Sequence, residues 1–296
     1  MTDLAAPALE DAAPRGRSLG HDALRRFAAN RAAMVGVAVL IVIALSALAV
    51  PVLSVHDRDE IFWDLIAVPP QLADWHPFGT DSNGRDLFVR TLHGARISLL
   101  VGIVATLVSL MIGVSYGAVA GYLGGRIDAV MMRLVDILYA LPFLFFVIIL
   151  MVVFGRSIVL IFVALGAVEW LDMARIVRGQ TLSLKRREFI EAARALGVPG
   201  LTIVRRHVVP NLLGPVVVYA TLTVPRIILF ESFLSFLGLG VQEPMASWGV
   251  LISEGAKAID TAPWLLLCPA GCLAATLLAL NFIGDGIRDA LDPRDR

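Results

Sequence analysis

The sequence predicts an all-α, polytopic membrane protein with six transmembrane helices and both termini in the cytoplasm. Three observations carry this. Hydrophobic residues make up 58% of the chain and charged residues only 17%, with a mean hydropathy of +0.80, whereas soluble domains run at roughly a quarter charged. Six apolar runs recur, in lengths suited to the ~20 residues that a bilayer demands of a helix. Lys and Arg gather on alternate connecting segments, as they do when one side of a membrane retains them.

The runs follow in order. Residues 1–20 form an Ala/Pro-rich tail with Arg15 and Arg17, predicted to be disordered. A basic stretch with Arg25, Arg26 and Arg31 precedes the first run, Ala32–Val55, so residues 21–75 comprise an N-terminal helix and the start of an outer loop. Ala47-Leu48-Ala49 could pass for a signal-peptidase site, but the run exceeds the ~7–15 residues of a signal peptide's apolar region and reads as an uncleaved span. From His76 to Asp86 the chain is dense in turn formers. Asp81-Ser82-Asn83-Gly84 hints at a calcium loop, but the acid spacing fails and the twelfth position is Leu92. Ile97–Leu123 is the second run, and its Gly113, Gly117 and Gly121 make a flat face that another helix can approach. Ile127–Phe154 is the third, with Arg133 and Asp136 placed to pair and Pro142 interrupting it. Ser157–Leu171 begins the fourth, Leu212–Leu239 is the fifth and Pro263–Ile283 the sixth, with residues 240–262 a second outer loop. Cys268 and Cys272 sit four apart in the sixth run with no other Cys or His near them in sequence, and read as small packing residues.

Orientation follows from the cations. With the amino terminus inside, the inner segments 1–31, 124–133, 172–211 and 284–296 hold 18 of the 25 Lys and Arg, and the outer segments 6. Arg226 alone lies in a span. The net charge of zero gives no hint of nucleic-acid binding.

Between the fourth and fifth runs lies a polar, basic segment, 175–211. Ser183 can cap a helix whose apolar side is Phe189, Ala192, Ala193 and Leu196. Gly197 tolerates a positive φ and Pro199 forbids simple continuation. A second short helix, with Leu201, Val204 and Val208 on one side, is expected to end before Pro210. In this reading Lys185, Arg186 and Arg187 occupy the first helical turn, where the macrodipole disfavours cations. That points to a partner, the alternative being a basic loop touching lipid head groups.

Glu191-Ala192-Ala193, Gly197 and Val209-Pro210 resemble the EAA loop of ABC-importer permeases, the helix pair that docks into a cytoplasmic ATPase. The family usually has Ile at His207 and Leu at Val209; His207 followed by Val208-Val209-Pro210-Asn211 looks like the variant in peptide-importer permeases. From His76 onward, as a permease core spanning 76–296, the chain is similar to the C-type permease subunit of the oligopeptide/dipeptide/nickel family. The strings Trp170–Gln180, Phe230–Gly240 and Asp289–Arg296 suggest the oligopeptide branch over the dipeptide and nickel ones. The resemblance implies a bacterial inner-membrane complex that imports peptide. Its other members would be a second homologous permease, two cytoplasmic ATPases that bind ATP and Mg, and an extracytoplasmic peptide-binding protein. It further implies ATPase coupling through Lys185, Arg186, Arg187, Glu191, Ala192, Ala193, Gly197, His207 and Pro210.

The chain has no nucleotide site of its own: its two lysines, Lys185 and Lys257, follow Leu184 and Ala256 and not the Gly that a P-loop requires. No cofactor or metal is expected in it. Arg226 and Glu231 lie in the fifth run, where ionised groups are costly. They either line the substrate path or form a structural pair, Glu169 or the partner subunit being the candidate counterpart. Five-residue spacing favours separate partners for the two. An ion-coupled secondary transporter is the rival class, resting on Glu169 and Glu231. An intramembrane enzyme lacks any nucleophile–base constellation.

Overall fold

A computed structural model describes residues 19–72, 74–155 and 157–291; most of the tail assigned to 1–20, together with Arg156 and residues 292–296, lies outside them. The described residues form helices and connecting loops, with two isolated β-bridges and no strand. α1 (Leu19–Ala29) leads into α2 (Arg31–Leu53), whose N-cap Asn30 accepts from the Ala33 amide. α3 (Leu87–Leu123) starts ten residues before the predicted run, because Asp86 caps it through the Val89 amide at 2.7 Å. At 37 residues it is about 55 Å long and overshoots a ~30 Å hydrocarbon core.

The third run is broken at Pro142 into α4 (Gly125–Ala140) and α5 (Phe143–Phe154), bent by 81°. Leu141 is pushed out of the α region by the proline that follows it, so the first helix ends there. α6 (Ile158–Leu184) is one helix capped by Ser157, and it absorbs the first ten residues of the predicted 175–211 loop. α7 (Glu188–Ala195) is short. α8 (Gly200–Ile203) runs through a π-helical turn, Val204–Val208, into α9 (Val209–Phe236). α10 (Trp248–Lys257) gives the 240–262 loop a helix that its sequence did not announce, and α11 (Trp264–Leu291) outlasts the sixth run by eight residues.

Four helical stretches are long and apolar enough to cross a bilayer: Arg31–Val50, Leu87–Leu123, Gly200–Phe236 and Trp264–Leu291. The bent α4–α5 pair makes a fifth if it counts as one. α3 and α6 form the tightest seam. A β-carbon at Gly113 would stand 2.6 Å from Met173, one at Gly117 would strike the Ala174 carbonyl, and one at Gly121 would lie 2.8 Å from Thr181 Cβ. The four-residue glycine spacing thus serves the purpose expected of it. Arg178 locks the seam to α4 with two bonds to Asp128, at 2.5 and 2.6 Å. Asp136 pairs with Arg175 of α6 at 2.8 Å and not with Arg133, a correction to the pairing expected within α4. Cys268 and Cys272 are free thiols packed among apolar side chains.

The start of α3 lies at one end of the bundle and its finish at the other. At the starting end the turn-rich loop folds around buried charge. Asp81 accepts from the Asn83 and Arg85 amides and from both the Arg85 and Arg90 guanidiniums. Arg90 also reaches Glu254 of α10 at 3.0 Å, and Arg85 reaches Glu243 at 3.2 Å. Burial works against the Arg85 charge, yet Asp81 and Glu243 outweigh it and hold its pKa above the ordinary value. His76 and Asp86, both buried, meet at 2.6 Å. This string, which reads in sequence only as turn formers, is what fastens the loop and α10 to the mouth of α3.

Candidate functional site

The far end of α3 carries the α7–α8 loop. Local structure corrects the sequence reading here. Ser183 lies inside α6 and caps nothing; Arg187 is the N-cap of α7. Lys185, Arg186 and Arg187 therefore sit in the turn, not in a first helical turn, and Lys185 is the C-cap of α6, where a cation suits the macrodipole. The first turn of α7 holds Glu188 and Glu191, as helix stability asks. The cations are thus not misplaced and do not in themselves call for a partner; the surface of the loop does.

Gly197 does what the sequence asked of it. Its φ is +77°, and α7 ends in a Schellman motif: the Gly197 amide donates to Arg194 O at 2.9 Å and the Val198 amide to Ala193 O at 3.1 Å. A β-carbon there would meet nothing within 4 Å, so only its backbone conformation demands glycine. Pro210 does not stop a helix. The π turn, closed by the Val209 amide on Val204 O, lets α8 pass into α9 with Pro210 in the first turn, where its missing N–H costs little. His207 lies half-buried in that turn, and its carbonyl accepts from Asn211 Nδ2 at 2.6 Å.

The loop has two faces. Ile190 and Ala193 of α7 and Ile203 of α8 are buried with Tyr122, Val177, Val208 and Leu212, so the loop is plugged into the ends of α3, α6 and α9. Arg194 lies over the Tyr122 ring at 4.9 Å, and Lys185 at 5.9 Å. The opposite face bares apolar side chains: Phe189 is 43% exposed, Leu196 83% and Leu201 65%, with Ala192 beside them. Three of the four residues expected to bury α7, Phe189, Ala192 and Leu196, thus point out; only Ala193 is buried as expected, joined by Ile190. Around this patch Arg186, Arg187, Arg205, Arg206, Glu188 and Glu191 are exposed and have no side-chain partner among the described residues. An apolar patch rimmed by unpaired charge is a surface for another protein to cover.

The second constellation lies midway along α6 and α9. Arg226 of α9 reaches Asp172 Oδ2 at 3.0 Å and stands 3.7 Å from Glu169 Oε1, both on α6. Glu169 was foreseen as its counterpart; Asp172 was not, although it lies one turn along the same helix face. Arg226 is 46% exposed because it borders a cavity of ≈ 310 Å³ between the α4–α5 elbow, α6 and α9, with Tyr139, Pro142 and Phe230 in its wall. Glu169 is only 3% exposed, and its Oε2 has no hydrogen-bond partner among the described residues. An unmatched buried acceptor of this kind costs about 1–3 kcal/mol.

Glu231, five residues on, is elsewhere: fully buried and outside that cavity's wall. Its carboxylate accepts from Ser98 Oγ of α3 at 3.0 Å and Ser235 Oγ of α9 at 2.7 Å. Ser235 in turn meets Ser247, the cap of α10, at 3.2 Å. Three helices converge on one carboxyl held by hydroxyls, and no cation among the described residues pairs with it. The serines at 232 and 235 were the available signal, but Ser98 and Ser247 reach the site only through the fold.

Comparison with known proteins gives the chain its family. Residues 109–296 match the family described as binding-protein-dependent transport system inner membrane component, and residues 18–70 match the N-terminal TM domain of oligopeptide transport permease C. The chain is 60% identical to the oligopeptide transport system permease protein OppC of Escherichia coli K12, over 95% of this chain and 93% of that protein. Identity to the protein of the same name from Haemophilus influenzae is 53%, over 97% and 93%. The dipeptide transport system permease protein DppC of Bacillus subtilis is 47% identical, over 94% and 87%. With both family regions and the near-full-length likeness in place, this chain belongs to the binding-protein-dependent transport system inner membrane components, in the oligopeptide permease C branch.

Proposed function

We propose that the chain is the pore-forming permease subunit of an ATP-driven importer of oligopeptides, with its energy entering through the α7–α8 loop. It spans the membrane six times with both termini cytoplasmic: the four long apolar helices, the bent α4–α5 pair and α6. α6 carries Glu169, Asp172 and Arg175, and two of these face the cavity or its rim, so the ionised groups need not meet lipid. The observation that carries the reading is the two-faced loop. One face is plugged into α3, α6 and α9, and the other presents Phe189, Leu196 and Leu201 inside a charged rim.

A partner ATPase covering that outer face would move the plug, and with it the ends of three helices. The partners are then two ATPases that bind ATP and Mg, a second homologous permease completing the pore, and an extracytoplasmic peptide-binding protein. Coupling falls to Lys185, Arg186, Arg187, Glu191, Ala192, Ala193, Gly197, His207 and Pro210, joined by the exposed Phe189, Leu196 and Leu201. Arg226 and its cavity belong to the peptide's path. Glu231 has a different part in this scheme, holding α10 to α3 and α9.

Solubilising the chain in mild detergent from cells that express the whole system tests the proposal. ATPase activity is expected to copurify with it and to be lost from Leu196→Asp preparations. An assembly that copurifies no ATPase and whose uptake follows an ion gradient would overturn it.

A further inference from the structure

We infer that the cavity between the α4–α5 elbow, α6 and α9 is a subsite for an ammonium group of the transported peptide, with Glu169 and Asp172 as its acceptors and Arg226 holding them in place. The inference rests on the reading of this cavity as part of the substrate path.

Charge is the first argument. Two carboxylates, Glu169 and Asp172, face one guanidinium, Arg226, so the cavity is short of one positive charge. The other nearby cation, Arg175, is engaged by Asp136 at 2.8 Å and lies over the Tyr139 ring at 4.3 Å. Hydrogen bonding is the second, independent argument. Glu169 is 97% buried by its 3% exposure, stands 3.7 Å from Arg226, beyond hydrogen-bond reach, and leaves Oε2 without a donor among the described residues. Buried carboxylate oxygens seldom stay unmatched.

What is missing is a compact cation with several donors. An ammonium group has three, and a volume of ≈ 310 Å³ admits it with its first residue. The Tyr139 and Phe230 rings, over which Arg175 and Arg226 lie at 4.3 and 5.7 Å, give the wall apolar surface for the adjoining side chain. A peptide offers an ammonium at its amino terminus or on a lysine side chain, and the chemistry on the page serves either.

The test uses the complete transporter in proteoliposomes, with saturating loaded binding protein so that capture outside is common to all arms. Uptake is compared for trialanine, its N-acetylated form, and an N-acetylated tripeptide containing one lysine. In the unaltered transporter the ammonium-bearing peptides should exceed the acetylated trialanine. In Glu169→Gln the ratio of ammonium-bearing to acetylated uptake should fall by about tenfold, the order expected from one charge-assisted hydrogen bond. Asp172→Asn should lower the same ratio, and it decides the matter if Glu169→Gln fails to assemble. A fall confined to trialanine assigns the subsite to the amino terminus, and one confined to the lysine peptide assigns it to the side chain. Equal loss for all three peptides, or unchanged ratios, would overturn the inference, leaving Glu169 a structural group or one matched by the partner subunit. If the unaltered transporter moves none of the three, the oligopeptide function itself fails instead.

Discussion

Gly197 shows how much can hang on one backbone angle. At φ +77° a β-branched residue is strained by at least about 1 kcal/mol, although its side chain would have open space. Gly197→Asn should therefore be tolerated better than Gly197→Val, since asparagine visits the left-handed region and valine does not. The measurement is peptide uptake by each variant at matched expression. The fault in Gly197→Val lies in the direction the chain takes after α7, not in a clash. Glu231 makes the opposite case, a residue defined by its contacts. Glu231→Ala leaves the Ser98 and Ser235 hydroxyls without their acceptor. That is expected to cost about 1–3 kcal/mol for the unmade bonds, with a cavity cost added. Glu231→Gln keeps an acceptor and should cost less. Thermal unfolding of the purified protein in detergent orders the three, and Glu231→Ala as stable as the unaltered chain would remove the anchoring role.

Between elements, the α3–α6 seam depends on absent side chains. Gly117→Val would drive its β-carbon into the Ala174 carbonyl, and the overpacking is expected to cost about 1–3 kcal/mol or to prevent assembly. Gly179, also helical, has nothing within 4 Å of a β-carbon, so Gly179→Ala should gain about 0.5–1 kcal/mol. The same thermal measurement separates them. This seam was legible in the sequence because a four-residue repeat of glycine has one meaning on a helix. The positive φ at Gly197 was legible for the same reason, being a demand on a single residue type. The start of α7 was not. Ser183 is as good a cap as any by local rules, but α6 continues past it and places the cations in the turn. Nor could a proline rule foresee that a π turn would carry the helix through Pro210. The Asp81–Arg85–Arg90–Glu254 network was invisible because its far member lies 164 residues from Arg90 and only packing brings the two together.

At the scale of the whole molecule, the proposed topology of six spans with both termini inside would place the 54–86 loop and α10 outside and the α7–α8 loop within the cell. In a chain freed of Cys268 and Cys272, cysteines at the exposed positions Ser82 and Asp260 should label with an impermeant reagent in intact cells, and one at Arg186 should not. The reverse pattern would invert the topology. In that topology the molecule would have a charged, tightly fastened collar outside, a paired-charge cavity midway and an apolar docking face inside. The plug of Ile190, Ala193 and Ile203 into three helix ends makes the inner loop part of the bundle, so force on it reaches α3, α6 and α9 without passing through a flexible joint. Through that mechanical link the partner's motion would reach the pore. The link is tested most directly by measuring ATPase pull-down and peptide uptake side by side in Gly197→Val and Leu196→Asp, each confirmed to be inserted in the membrane. Leu196→Asp should lose the ATPase and uptake together, and Gly197→Val should bind the ATPase weakly and transport nothing. Full-rate transport by either variant would show that the loop does not couple the ATPase to the pore.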